Sequence, residues 1–133
     1  MINSDTYIIK SVKCAVECFN DYFDAVEFIN EPIFALLLNA KMEVIGIKEI
    51  PINSTEATFV APSKLNKVTE ANPEYVILIH TRWYTVEPDV YEKVLAYEFL
   101  DTINRINKFK MLDYIMVKPN KGHYSLRNNI VVR

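Results

Sequence analysis

The sequence predicts an α/β (α+β) fold in which a mixed β-sheet is packed in three layers between helices on both faces. Three observations predict it. Short apolar runs such as Ile33-Phe34-Ala35-Leu36-Leu37-Leu38 suit strands covered on both sides. Apolar residues recur at three- and four-residue steps near 12–26 and again at 94–106, the period of a half-buried helix. Helical and strand patterns alternate along the chain in the order helix, hairpin, helix, strand, helix, hairpin, which layers helices onto a mixed sheet. With 133 residues the chain holds one hydrophobic core and is too short for two, so a single domain over residues 1–133 is expected.

Each element has its own signal. Ser11 can cap a first helix whose apolar face is Val12, Ala15, Val16, Phe19, Phe23 and Val26. Pro32 ends that pattern, and the run from Ile33 is a buried strand. Asn39-Ala40-Lys41 is the turn into a second strand bearing Val44, Ile45, Ile47 and Ile50, where Gly46 suggests a bulge or a close backbone approach. A small polar stretch at 53–58 leads to Val60, and Pro62 and Ser63 open a helix carrying Leu65 and Val68 that ends near Asn72-Pro73.

Tyr75-Val76-Ile77-Leu78-Ile79 is the most apolar strand, and residues 80–87, lacking any period, are expected to leave its end as a loop. Asp89 and Glu92 have the spacing of a capping box, with Asp where Ser or Thr is usual. Val94, Tyr97, Leu100, Ile103 and Ile106, with Leu95 and Phe99 alongside, then give a long helix with a wide apolar face. Residues 112–117 form a further strand, Pro119-Asn120-Lys121-Gly122 a turn, and 123–126 its partner, with Ile130-Val131-Val132 as an edge strand.

Composition narrows the function classes. A formal net charge of -2 gives no global attraction to phosphate backbones, which disfavours a dedicated nucleic-acid binder. The first ten residues lack the basic start and apolar core of a secretory signal, and no apolar stretch reaches the roughly 20 residues of a membrane span. No membrane partner and a cytoplasmic location are therefore expected. Cys14 and Cys18 fall on one helical face and supply at most half of a four-ligand zinc site, so they read as a buried thiol and its reduced neighbour. Ser54, Thr55 and Thr58 have no His/Asp pairing that would make one a nucleophile, and with Gly46 and Gly122 the only glycines there is no phosphate-cradling loop.

Several stretches, taken in order, carry a resemblance over nearly the whole chain. They are Glu31 through Leu36-Leu37-Leu38-Asn39, Val60-Ala61-Pro62 at a helix start, Tyr75 to His80, Met111-Leu112-Asp113-Tyr114-Ile115-Met116-Val117, and Tyr124-Ser125-Leu126-Arg127. In this order and spacing the chain resembles the RadC-type branch of the JAB/MPN metal-hydrolase superfamily, which implies a JAB/MPN-like, cytidine-deaminase-like fold. The resemblance also implies a working motif: a Glu on or before the first strand, His-x-His after the central strand, and Ser-x-x-Asp at the start of the long helix. Two His and the Asp hold zinc there, and the Glu handles the proton of the zinc-bound water, whose pKa such a site lowers to about 7.

Carried over residue by residue, Glu31 matches the catalytic Glu and His80 the first histidine, but Arg82 stands at the second. A guanidinium is always protonated and has no lone pair for a metal. The loop that in the family reads Pro-Ser-Gly is here Trp83-Tyr84-Thr85. The Ser-x-x-Asp position falls on Asp89 with Glu92 or, one residue on, on Val90 with Lys93. His80, Glu92 and Asp89 are thus the candidate metal residues of a degenerate set. Each also has an ordinary role: Asp89 and Glu92 as a helix cap, His80 as a hydrogen-bonded strand-end residue, and His123 as a turn residue.

The expected function is a RadC-like JAB domain that is catalytically inactive and acts as a binding or scaffolding module. Arg82, Trp83 and Tyr84 form its contact surface, since these residue types anchor interfaces, or Trp83 and Tyr84 fill the emptied pocket. No cofactor is expected, with zinc only if the degenerate site still takes a metal. One alternative is a metal-dependent hydrolase of peptide, isopeptide or nucleotide bonds in which His80 and Glu92, with Glu31 or Asp113, hold a divalent ion. Another is the DNA-repair-associated DNA binding that the family label suggests, through Lys108, Lys110, Lys118, Lys121, Arg127 and Arg133, with Arg82 and Trp83 stacking on an unpaired base. The expected partner is a protein or DNA, and a homodimer through the edge near Ile130-Val131-Val132 is the expected assembly.

Overall fold

A computed structural model describes residues 7–24, 33–50, 72–82, 87–106, 109–118 and 121–127. Among the described residues seven elements follow in order: α1 (Val12–Asp24), β1 (Ile33–Leu38), β2 (Val44–Ile50), β3 (Tyr75–Thr81), α2 (Val90–Ile106), β4 (Lys110–Lys118) and β5 (Gly122–Ser125). The strands make one five-stranded sheet in the order β2-β1-β3-β4-β5. Only the β3–β4 pair is parallel; the others are antiparallel. A parallel pair needs a crossover, and α2 supplies it, so β3, α2 and β4 form a βαβ unit inside a mixed sheet. The expected α+β fold stands, and among the described residues no helix is long and apolar enough to cross a membrane.

Strand alternation sorts the core into two layers. Ile33, Ala35 and Leu37 of β1 pack with Val76, Leu78, Tyr114 and Met116 against α2. Phe34, Leu36 and Leu38 pack with Ile77, Ile79, Ile115 and Val117 against α1. Every residue of β1 is buried, as its unbroken apolar run predicts. On the α1 side, the Ser11 hydroxyl accepts the Cys14 N–H at 3.1 Å, the expected cap. Phe19 then meets Phe34 with ring centroids 5.3 Å apart. Cys18 is buried in that layer and Cys14 donates its thiol to the Ile8 carbonyl at 3.1 Å; both are free thiols. Burial, with Cys14 adding to it, pushes the Cys18 thiol up to about 12, so it stays an inert thiol at neutral pH.

The β1–β2 hairpin closes on Asn39, whose Oδ1 accepts the N–H groups of Lys41 and Glu43 at 2.9 and 3.0 Å. Those bonds hold Met42 at a left-handed φ of 65°. The bulge that Gly46 suggests is present: Leu37 faces Gly46 while Leu38 faces Val44, which makes Ile45 the extra residue.

Two expectations are corrected. β3 continues through His80 and Thr81, both buried and paired with Met116 and Val117, so the stretch placed in a loop begins instead as strand. The parallel neighbour β4 extends that far, and its pairing decides the boundary where periodicity is silent. Second, the buried stripe of α2 is Ala96, Phe99, Leu100 and Ile103, whereas Val94 and Tyr97 are exposed. The helix is apolar around much of its girth, so the sequence leaves its rotation open. Glu92, drawn inward by contacts described below, lies on the same stripe as Ala96, Phe99 and Ile103 and turns Val94 outward.

The helix expected after Pro62, Val26, Ser54, Thr55, Thr58, Pro119, Lys108, Arg133 and the Ile130-Val131-Val132 edge with its homodimer lie outside the described residues. His123 is an exposed residue of β5 rather than of the turn before it.

Candidate functional site

In a βαβ unit the carboxyl end of the first strand and the amino end of the crossover helix belong to one connection. His80 and Arg82 therefore come off the end of β3 close to where Asp89 and Glu92 open α2. The helix start is a reciprocal capping box: Asp89 Oδ1 accepts the Glu92 N–H at 2.8 Å, and Glu92 Oε1 accepts the Asp89 N–H at 3.3 Å. The second carboxylate oxygen, Oε2, receives Arg82 Nη1 at 3.0 Å. Both side chains are mostly buried, at 15% and 20% exposure. Arg82 also donates its backbone N–H to the Val117 carbonyl at 2.8 Å and approaches Met116 Sδ at 3.6 Å. Glu92 thus bridges the helix cap and the strand end.

His80 points to the α2 side of the sheet, where its Nδ1 lies 2.8 Å from the Tyr114 hydroxyl. The two rings meet edge to face at 5.9 Å, and Phe99 stands edge-on to Tyr114 at 6.2 Å. Burial, reinforced by the Arg82 charge, lowers His80 to about 4, so the imidazole is neutral at pH 7. Burial raises the Tyr114 phenol far above its ordinary value, so it keeps its proton. A neutral imidazole and a protonated phenol share one hydrogen bond whichever tautomer closes it.

The structure brings together His80, Arg82, Glu92 and Asp89 of the residues expected from sequence. Glu31, Trp83 and Tyr84 lie outside the described residues. Asp113 is elsewhere: it pairs with Ile77, three residues back along β4 from Met116, the partner of His80. Fully buried, it accepts the N–H groups of Tyr114 and Arg127 at 2.7 and 3.0 Å and the hydroxyl of Ser125. It braces the end of β5 and a bulge in β4, where Val76 faces Met111 and Ile77 faces Asp113, leaving Leu112 as the extra residue. Sequence reasoning missed Tyr114 and Met116 as site residues. A tyrosine inside an apolar strand run signals a hydroxyl that needs a partner, but the parallel register that supplies His80 had no sequence signature.

Lys110 and Lys118, expected in one basic patch, sit at opposite ends of β4, about 26 Å apart at strand rise. Arg127 forms an ion pair with Asp101 at 2.7 Å. These cations do not form a single surface.

A family model described as RadC-like JAB domain matches residues 9–131. The chain belongs to the RadC-like JAB domain family. No curated protein matches it. The described donors of this RadC-like chain do not fit the zinc that the family implies. Among the described residues, no three His, Cys, Asp or Glu side chains converge to hold a metal. Arg82, which the resemblance puts at the second histidine position, has no lone pair for a metal, and its guanidinium takes one oxygen of Glu92 while the helix cap takes the other.

Proposed function

We propose that this RadC-like JAB domain works as a binding or scaffolding module, without a zinc-centred hydrolytic step. One observation carries the reading: Arg82 Nη1 lies 3.0 Å from Glu92 Oε2. A fixed cation sits where the family motif has an imidazole, and its counter-ion is the carboxylate that fits the motif's acidic position. A divalent ion entering there meets a positive charge already neutralised by the best remaining ligand, and it must break a partly buried ion pair to enter. Arg82, Trp83 and Tyr84 follow one another at the end of the central strand, and Trp, Tyr and Arg are the side chains most enriched among interface anchors. The partner in this reading is a protein.

The test is metal content and binding on the same preparation. Chain purified without chelator and equilibrated with excess zinc, then passed through a desalting column, is expected to retain well under one zinc per chain by elemental analysis. One tightly held zinc per chain overturns the reading in favour of a hydrolase with an altered ligand set. Trp83→Ala is expected to weaken partner binding while leaving the melting temperature unchanged. A fall of several degrees assigns Trp83 to filling the pocket instead.

A further inference from the structure

Of the large apolar side chains exposed among the described residues, Val90, Tyr91, Val94 and Tyr97 all lie in the first two turns of α2. Val90 and Tyr91 are 78% and 72% exposed. On a helical projection, Val90, Val94 and Tyr97 (i, i+4, i+7) form one stripe opposite the buried Ala96, Phe99 and Ile103, and Tyr91 flanks it. Four such side chains make a patch of a few hundred Å², the size at which surface patches on monomers are often functional.

The charges around this patch select its occupant. Glu87 and Asp89 lie exposed before its first turn, and Glu98 and Asp101 lie exposed after Tyr97. The nearby cations among the described residues are committed elsewhere. Lys93 lies over the Tyr124 ring at 5.3 Å, Arg127 is paired with Asp101, and Arg105 folds back onto its own helix at the Asp101 carbonyl and Thr102 hydroxyl. An apolar centre is therefore bracketed by carboxylates at both ends. A second copy of the chain does not suit it: two α2 helices crossing antiparallel at Val94 set Glu87 against Asp101 and Val90 against Glu98, and parallel pairing sets each carboxylate against itself.

We propose that the exposed face of α2 from Val90 to Tyr97 is a docking site for an amphipathic helical segment of another protein. The segment carries apolar anchors at i, i+3/i+4 and i+7 flanked by Lys or Arg. Such a helix lays its apolar stripe on the Val90, Val94 and Tyr97 row, with Tyr91 at the margin, and places its cations beside Glu87 or Asp89 at one end and Glu98 at the other. The inference rests on the reading of the domain as a binding module and names residues other than Trp83 and Tyr84.

The test uses the full chain and two fluorescein-labelled, 18-residue amphipathic peptides that share a leucine stripe and differ only in lysine or glutamate flanks. Anisotropy is expected to show the lysine peptide binding at least tenfold more tightly than its glutamate twin, with affinity falling as salt rises. Val94→Ser and Glu98→Lys, at exposed positions, are each expected to weaken it fivefold or more. Amide shifts in a heteronuclear NMR titration are expected to centre on residues 90–98. Equal binding of the two peptides, insensitivity to Val94→Ser, or shifts centred elsewhere overturn the proposal. So does concentration-dependent dimerisation by sedimentation that Val94→Ser abolishes, which assigns the face to a second copy. Loss of peptide binding in Trp83→Ala with no effect of Val94→Ser overturns this surface while leaving the binding-module reading intact.

Discussion

A guanidinium held 3.0 Å from a carboxylate at 15% and 20% exposure is neither a solvated surface pair nor a fully dry one. Exposed pairs contribute under about 1 kcal/mol, and breaking one partner of a buried pair costs about 3–5 kcal/mol. A coupling of about 1–2 kcal/mol between Arg82 and Glu92 is the expectation. Urea unfolding of Arg82→Gln, Glu92→Gln and the double variant measures it; glutamine at 92 keeps an oxygen for the Asp89 N–H, so the cycle isolates the charge. A coupling below a few tenths of a kcal/mol means that the pair does not hold the strand end to the helix. His80 gives a second residue-scale prediction. Its pKa is about 4 in the fold against 6.5 ordinarily. Between those values the unfolded chain binds the proton and the folded one does not. The stability that the neutral imidazole contributes is complete above pH 6.5, is lost as pH falls toward 4, and amounts to roughly 3 kcal/mol. His80→Asn keeps an acceptor near Nδ1 and removes the titration. Wild type is therefore expected to lose roughly 2–3 kcal/mol more than the variant between pH 7 and pH 4. Parallel stability profiles from pH 7 to 4 count against a buried neutral imidazole.

At the scale of elements, carboxylates fix the start of α2, through Asp89 and Glu92, and the open end of the β4–β5 hairpin, through Asp113. Asp89→Ala removes half of the capping box and is expected to cost about 1 kcal/mol. Asp113 carries more, because this fully buried carboxylate accepts three bonds at once, a buried one from the Tyr114 N–H and part-buried ones from the Arg127 N–H and the Ser125 hydroxyl. Asp113→Ala is expected to cost about 3 kcal/mol or more, and Asp113→Asn clearly less, since Oδ1 can still accept. Chemical denaturation of both variants checks the order, and equal losses remove the hydrogen-bond explanation. The capping box was legible from the Asp89 and Glu92 spacing alone, since the chemistry that makes it is local. The rotation of α2 was not legible. Val94 and Tyr97 fit an apolar stripe as well as Ala96 and Phe99 do, and Glu92, on the buried stripe, pairs with Arg82, a residue that sequence separates from the helix.

At the scale of the molecule, what could be read from the chain follows the same division between local and distant causes. β1 was legible to the residue because six apolar side chains in a row leave no polar face. The Gly46 bulge was legible because a glycine within a strand has few other uses. The end of β3 was not, since His80 and Thr81 are made strand by their pairing with Met116 and Val117. In the site, Arg82 at the position that the resemblance gives to a histidine was visible in the sequence, whereas its ion pair with Glu92 and the His80–Tyr114 bond needed the register. That register also sets how cooperatively the sheet opens. β1 and β3 lie inside the sheet, with a helix on each face and nearly every side chain buried, while β5 is the outermost of the described strands, four residues long, with side chains at most half-buried. Opening β5 breaks one ladder and exposes little apolar surface; opening β3 breaks two ladders and uncovers both cores. Native-state hydrogen exchange is therefore expected to put the amides at 34–38 and 76–80 at the free energy of global unfolding. The β5 amides at 123–125 are expected to exchange through a smaller opening, faster by about a hundredfold or more, which corresponds to about 3 kcal/mol. Arg127→Ala, which cuts the link from the end of β5 to Asp101, is expected to speed the β5 amides further and leave β1 and β3 unchanged. A single protection free energy shared by all of these strands shows instead that the Asp113 brace makes β5 part of the same cooperative unit as the central sheet.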